Sequence, residues 1–258
     1  MSMINELAFV HPEAKIGENV EVGAFAYVDK NVEIGDGTVI MPHATVLSGA
    51  RIGKNVKIFP NAVVSAIPQD LKFVGEETTA VVGDNTTVRE CATINRGTAS
   101  KGTTVVGSNC LLMAYTHIAH DCRLGDHIII GNASQIAGEV VIDDWAILSG
   151  SVLVHQFTRI GGHVMIQGGS KVGKDVPPYV MAGREPLSFE MLNKVGLTRR
   201  NFTNETIEKI MNVYRIIYMS DLNTTQAIEK VEAECELIPE VKYIVDFIKG
   251  SQRGIIRK

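Results

Sequence analysis

Large aliphatic residues recur at every sixth position along most of this chain. From Val10 the count runs through Ile16, Val22, Val28, Ile34, Ile40, Val46, Ile52, Ile58 and Val64. From Val106 it runs through Leu112, Ile118, Leu124, Ile130, Ile136, Ile142, Leu148, Val154, Ile160 and Ile166 to Val172 without a miss. With 45% of the chain apolar, twelve hits in one phase arise by chance about once in ten thousand trials, so the periodicity decides the fold. A second column, four residues further on, is small or apolar: Val20, Ala26, Val32, Ala44, Ala50, Val56 and Ala62, then Cys110, Thr116, Cys122, Ser134 and Ala146. A period of six with two inward positions is neither helical nor a heptad. It specifies a mainly β architecture, a parallel β-helix of hexapeptide repeats with three hexads to each triangular coil. About 25 hexads make roughly eight coils, a prism on the order of 40 Å tall at ~4.8 Å per coil. Glycines directly after the large position, such as Gly17, Gly35, Gly53, Gly107 and Gly125, are expected to supply its corners. The two columns fill the interior, so ligands must bind outside the prism.

Two segments break the count. "SAIPQDLKFVGEETTA" (65–80) and "NRGTASKGTTV" (95–105) read as loops ejected from the coil, and loops on a rigid scaffold commonly carry function. The repeat stops near "DVPPYVMAGREP", where adjacent prolines end regular pairing. Beyond it the period becomes helical. Thr203 reads as a cap before Ile207, Ile210, Met211, Tyr214, Ile217 and Tyr218; Ile228 and Val231 mark a second helix. Val241, Ile244, Val245 and Ile248 before Gly250 mark a third. The expected organisation is a β-helix over 1–186 and a small α-helical domain over 187–258.

The 258-residue chain carries a net charge of -4, which argues against general nucleic-acid binding. Its N-terminus has no basic stretch leading into an apolar one, and no run long enough to span a membrane occurs, so a cytoplasmic protein is expected. Four cysteines without CxxC spacing read as reduced, buried thiols. Charge is uneven, however: 171–200 holds six Lys or Arg against three Asp or Glu, a candidate seat for an anionic ligand.

The chemistry-bearing stretch is "THIAHDCRLG" (116–125). His117, His120 and Asp121 all fall in outward phases around the inward Ile118, and His155 returns nearly two coils later to almost the same face. As a general base, His120 would be neutral near pH 7, with Asp121 or a carbonyl fixing its tautomer. As a zinc site the histidines would hold metal with an open position for water, but a His-x2-His spacing suits a β scaffold poorly because unlike parities point apart. Asp70 and Lys72 would share a face of an extended loop, as a substrate clamp or an exposed ion pair. Arg199 and Arg200 are a solvated surface or, beside a helix, a grip for a diphosphate. Gly168 and Gly169 read as a corner or a groove floor.

Together "QDLKFVGE", "HIAHDC", "VHQF", "DVPPYVMA" and "GLTRRNF", set in hexads with a helical C-terminus, resemble the UDP-N-acetylglucosamine O-acyltransferases that open lipid A synthesis. The resemblance spans the whole chain. It implies a left-handed coil, a homotrimer and active sites between subunits. It also implies no bound cofactor, the (R)-3-hydroxyacyl group arriving on the phosphopantetheine of acyl carrier protein, and UDP-N-acetylglucosamine as acceptor.

Carried over by motif, His120 resembles the base for the glucosamine 3-hydroxyl and Asp121 its orienting partner. Gly138 matches the glycine whose N–H stabilises the oxyanion. Asp70, Lys72, His117, His155 and Gln156 resemble substrate contacts, and Asn193, Arg199 and Arg200 resemble positions near the uridine diphosphate. Gly168, with Met165, matches the positions that limit acyl length, and a glycine there implies a chain of about C14 to C16. Three positions depart from the family pattern: Asn95 and Glu139 stand where histidine is usual, and Val195 where an acid is common. Four other readings remain: a hexapeptide N-acyltransferase, whose extra N-terminal domain has no room before Val10; a 3-amino acceptor; a γ-carbonic-anhydrase-like metal lyase; and an inert trimerisation module.

Overall fold

A computed structural model describes residues 2–258. Short parallel strands, mostly of two residues, stack into sheets of eleven, nine and eight strands, the faces A, B and C of a triangular prism. The prism winds left-handed, against the usual hand of parallel crossovers. Strands of two residues are too short to accumulate the twist that dictates that hand. Each counted aliphatic points inward, and all but Val64 close a strand. Ile118 stacks in register with Ile136 and Ile136 with Val154, one per coil. All three are at most 3% exposed.

Face B has nine parallel strands, hence nine coils rather than eight. The additional coil, through Val82, Val88 and Ile94, lies between the two ejected segments and so escaped both runs of the count. Those segments are shorter than the sequence suggested, because Val63–Ala66, Thr79–Val82, Thr93–Asn95 and Thr103–Val106 remain paired. Only 67–78 and 96–102 leave the prism.

The glycines after the large column do not turn the corners. A Cβ on Gly107 would lie 2.3 Å from the Gly125 carbonyl oxygen of the next coil, so close approach excludes a side chain there. The corner itself comes two residues later, in left-handed backbone at Asn55, Asn109, Asp121, Glu139, Trp145 and His163 among others. That conformation costs an L-residue about 1–2 kcal/mol, and Asn and Asp tolerate it best.

Several polar members of the small column bond between coils, although Thr116 and Thr158 leave Oγ1 unpartnered. Thr86 Oγ1 donates to the Gly107 carbonyl at 2.8 Å and accepts from Cys110 N at 3.1 Å. Thr38 and Ser134 repeat the arrangement. All four cysteines are free thiols. Burial pushes Cys110 up to about 11 and Cys122 to about 12, so neither is a nucleophile near neutrality.

After the prolines a hairpin of Val180–Gly183 and Ser188–Leu192 extends face A. The boundary expected at 186/187 falls in its turn, and the first helix begins at Lys194. Four helices follow: α1 (Lys194–Arg199), α2 (Asn204–Met219), α3 (Thr224–Glu234) and α4 (Pro239–Lys249). Thr203 caps α2 by accepting from Thr206 N, and Gly250 follows α4, as the sequence indicated. The short α1 carries one buried residue, Leu197, too little periodicity to read from sequence. α4 closes on the prism through Tyr243, whose hydroxyl accepts from Gly162 N at 2.8 Å and donates to Asp143.

Candidate active site

His117 precedes the inward Ile118 on face B, and His120 and Asp121 form the turn that carries the chain to face C. Left-handed backbone at Asp121 (φ 61°) brings its carboxylate beside the preceding side chain. Its Oδ2 lies 2.8 Å from His120 Nδ1. Three further donors converge on the same carboxylate. Thr98 N reaches Oδ1 at 2.9 Å, Thr98 Oγ1 reaches Oδ2 at 2.6 Å, and Lys101 N reaches Oδ1 at 3.3 Å. The Asp121 side chain is fully buried. With the Asp121 carboxylate as acceptor, the His120 proton sits on Nδ1 and Nε2 keeps its lone pair.

That Nε2 faces outward. Asp70 Oδ2 comes within 3.9 Å of it from the loop 67–78. Asp70 and Lys72 do not form the extended ion pair considered from sequence. The segment turns instead, with Lys72 N donating to Asp70 Oδ1 at 2.9 Å and the Lys72 side chain exposed. Beneath the ring lies Gly138, one coil on and in register with His120. A Cβ at Gly138 would sit 2.6 Å from Nε2, so the ring position requires glycine.

The Gly138 N–H has no acceptor among the described residues. At the corresponding turn position on the edge between faces C and A, this N–H donates to a carboxylate: Glu18 to Asp36, Lys54 to Asp84, Ser108 to Asp126 and Asp126 to Asp144, at 2.7–2.9 Å. The turn is thus a donor site for anionic oxygen, and at Gly138 it stands open beside His120.

A groove of about 390 Å³ runs past these groups, lined by Gln69, His117, His120, Gln135, Gly138, Leu153 and Gln156 among others. His117 Nδ1 meets Thr93 Oγ1 at 2.7 Å. Burial, then the neighbouring His120, pushes the His117 imidazole below its usual value, so it is neutral near pH 7. His155 stands two coils beyond, exposed, with Nδ1 3.0 Å from the Gln156 carbonyl. No three His, Cys, Asp or Glu side chains among the described residues converge as a metal-ligand set.

The remaining expected residues lie elsewhere on this chain. Asn193, Arg199 and Arg200 belong to the start of α1 and its C-terminal end. Arg200 rests on the edge between faces C and A, 5.0 Å over the Trp145 ring. Gly168 and Gly169 form the corner between faces A and B, Gly169 in left-handed backbone, and Met165 points outward from face A. One chain therefore gathers His120, Asp121, Gly138, His117, Gln156 and Asp70, keeps His155 and Lys72 exposed on the same side, and places Asn193, Arg199, Arg200, Gly168 and Met165 away from this edge. Of the departures, Asn95 is 2% exposed with Oδ1 unpartnered, Glu139 takes the corner after Gly138, and Val195 is exposed on α1. Sequence reasoning missed Thr98 and Thr104. Thr104, which accepts from Asp121 N at 2.8 Å, sits in the small inward column but falls within 95–105, the segment that reads as an ejected loop, ahead of the count from Val106. Thr98 lies in a loop without period and left no signal.

A hexad prism with an oriented histidine and an open N–H on its edge defines the hexapeptide-repeat transferases. Hexapeptide-transferase repeats match 13–48, 31–66 and 103–138, and the family described as UDP N-acetylglucosamine O-acyltransferase, domain 2, matches 175–256. The chain is 60% identical to the acyl-[acyl-carrier-protein]–UDP-N-acetylglucosamine O-acyltransferase of Chlorobium phaeobacteroides, over 98% of this chain and 97% of that one. It is 58% identical to that of Aquifex aeolicus, over 98% of each. The solved structure of LpxA, a UDP-N-acetylglucosamine acyltransferase from Bacteroides fragilis, superposes with a TM-score of 0.97 at 60% identity, covering 99% of this chain and all of that one. The chain belongs to the UDP-N-acetylglucosamine O-acyltransferase family and is an O-acyltransferase.

Proposed function

We propose that this enzyme moves an (R)-3-hydroxyacyl chain from the phosphopantetheine thioester of acyl carrier protein to the glucosamine 3-hydroxyl of UDP-N-acetylglucosamine, the step that opens lipid A assembly, with His120 as general base. The observation that carries this reading is the His120 ring, oriented by Asp121 and seated on Gly138 at the groove. Nε2 takes the 3-hydroxyl proton as the oxygen attacks the thioester carbonyl. The tetrahedral oxyanion lies toward the open Gly138 N–H. Collapse expels the thiolate, which recovers the proton from the imidazolium, and Asp121 stabilises that cation while it lasts. Asp70 and Gln156 flank the sugar, while Asn193, Arg199 and Arg200 take the diphosphate end. No cofactor beyond the carrier's arm is needed for this chemistry.

The second part of the reading is a cytoplasmic homotrimer. Among the described residues no helix is long and apolar enough to cross a membrane. The expected site residues occupy three edges of one prism, and only a second copy can present another edge to the groove. Face A also carries an outward stripe of half-buried apolar residues, Leu111, Ile129, Ile147, Met165 and Met181, suited to packing against a neighbour. Gly168 and Met165 then border the acyl chain, of about C14 to C16.

The test is a purified-enzyme assay offering UDP-N-acetylglucosamine with 3-hydroxyacyl carriers from C10 to C16, beside His120→Ala and with sedimentation of the protein. Product peaking at a long chain, absent in the variant, and a trimer in solution support the reading. Full activity of His120→Ala refutes the base, and an active monomer refutes the shared cleft.

A further inference from the structure

Arg200 is held in place by groups that no assigned role explains. It extends from the end of α1 across the prism edge between faces C and A, where consecutive corners place His127, Trp145 and His163 one above another. Trp145 stacks on His127 at 3.9 Å between centroids and faces His163 at 6.3 Å, with planes 8–10° apart. Tyr179 continues the stack beyond His163 at 5.5 Å, and Phe202 meets the His163 ring edge-on. The Arg200 guanidinium lies over Trp145, and its Nη1 reaches His163 Nδ1 at 3.4 Å. A guanidinium only donates, so Nδ1 accepts and the ring proton sits on Nε2. The backbone carbonyl of the same His163 accepts from Asn193 Nδ2 at 2.9 Å, while Asn193 Oδ1 caps α1.

Two of the three residues expected at the nucleotide end, Asn193 and Arg200, thus converge on one histidine. Arg200 is also half desolvated, and burial holds its guanidinium below the usual arginine range. It makes no ion pair with any carboxylate among the described residues, although Asp126 and Asp144 flank the same edge; their carboxylates accept backbone N–H groups instead. A cation kept from the nearby acids and laid flat on a ring is available to an anion from outside.

We infer that Trp145 and His163 are positioning residues, which hold Arg200 and Asn193 in the orientation that receives the nucleotide diphosphate. The inference rests on the assignment of Arg200 to the diphosphate. Trp145 serves as the platform and sets the plane of the guanidinium. His163 sets its rotation about that plane through Nδ1 and ties Asn193 to the same point through its carbonyl. Neither touches the reacting atoms, so their loss weakens capture of the nucleotide without slowing acyl transfer once it is bound.

The chain's single tryptophan is Trp145, so intrinsic emission reports on this edge alone. Titrating the whole enzyme with UDP, as probe, is expected to give a saturable change in that emission. Arg200→Ala abolishes the change. His163→Phe, which keeps a stacking ring and removes the acceptor, weakens UDP binding about five- to tenfold, as loss of one ordinary hydrogen bond does. In turnover the same variant raises KM for the nucleotide sugar by a similar factor, leaving kcat and KM for the acyl carrier within about twofold. His163→Asn, whose side-chain oxygen can accept from Arg200, recovers part of the affinity. Trp145→Leu, read by activity, shows the same split and guards against a folding failure of His163→Phe. If His163→Phe and Trp145→Leu both bind nucleotide like the parent while Arg200→Ala does not, the inference is overturned and the diphosphate assignment stands. If Arg200→Ala itself leaves UDP binding intact, the assignment falls and the inference with it. Losses that multiply in the Arg200→Ala/His163→Phe double variant also overturn it, because residues acting through one guanidinium cannot be additive.

Discussion

One slot of the coil, the left-handed corner three residues after each inward aliphatic, is filled with opposite chemistry on two edges of the same prism. Between faces B and C it holds Asp121, buried, with three donors converging on one carboxylate and a histidine clamped at 2.8 Å. Between faces C and A it holds Trp145 and His163, flat rings in a stack with a cation laid across them. Hydrogen bonds to an ionised group fix distance and direction together, which a proton in flight requires. Stacking fixes a plane and tolerates sliding, which suits holding a charged ligand. A repeat that imposes a backbone at every corner leaves the side chain there free for function, provided its neighbours offset the strain.

This contrast can be broken most severely at His120. His120→Ala should lower kcat by about 10²–10⁴-fold, while Trp145 emission still responds to UDP within about twofold of the parent; a lost UDP response would mean that the edges are not separate. Next is Gly138→Ala. Its Cβ must displace the ring it would meet at 2.6 Å, and a shift of that kind costs about 10²-fold in kcat with the fold intact by circular dichroism. Thr98→Val removes one of the donors on Asp121 and should lower kcat about tenfold with KM values little changed. An unaffected kcat would show that the loop 96–102 does not orient the pair.

The smallest effect is on stability and arises on the other edge. Burial, with the Arg200 charge adding to it, pushes His163 down to about 4. The folded ring therefore stays neutral while the unfolded one takes a proton below about 6.5. The stabilisation is complete above that value and is lost as pH falls from about 6.5 toward 4. His117, lowered by burial, acts in the same direction. Thermal unfolding from pH 7.5 to 4 should show the decline, and His163→Phe should flatten part of it.

Legibility followed periodicity. The β-helix and its inward columns were plain because each coil repeats one steric demand, large then small, every six residues. The helices α2 to α4 were plain for the same reason at period 3.6. The coil between the loops escaped because both its flanks break phase, and the glycines were read as corners because sequence does not distinguish a tight turn from a close neighbour. His120 and Asp121 stood out as a cluster in outward phases. The shape of Asp70 and Lys72 did not, since an aperiodic loop takes its conformation from what it packs against.

By itself the sequence determined the hexad prism, the helical cap, the outward His120–Asp121 pair and, through its motifs, the family. Those are properties of spacing and residue type along one dimension. Tertiary structure decided the ring seated on Gly138, the Thr98 donors on Asp121, the open N–H on that edge and the convergence of Arg200 and Asn193 on His163. The contacts among them join residues 18 to 37 positions apart, where the contact depends on coil register and on how a loop or helix lies against the prism.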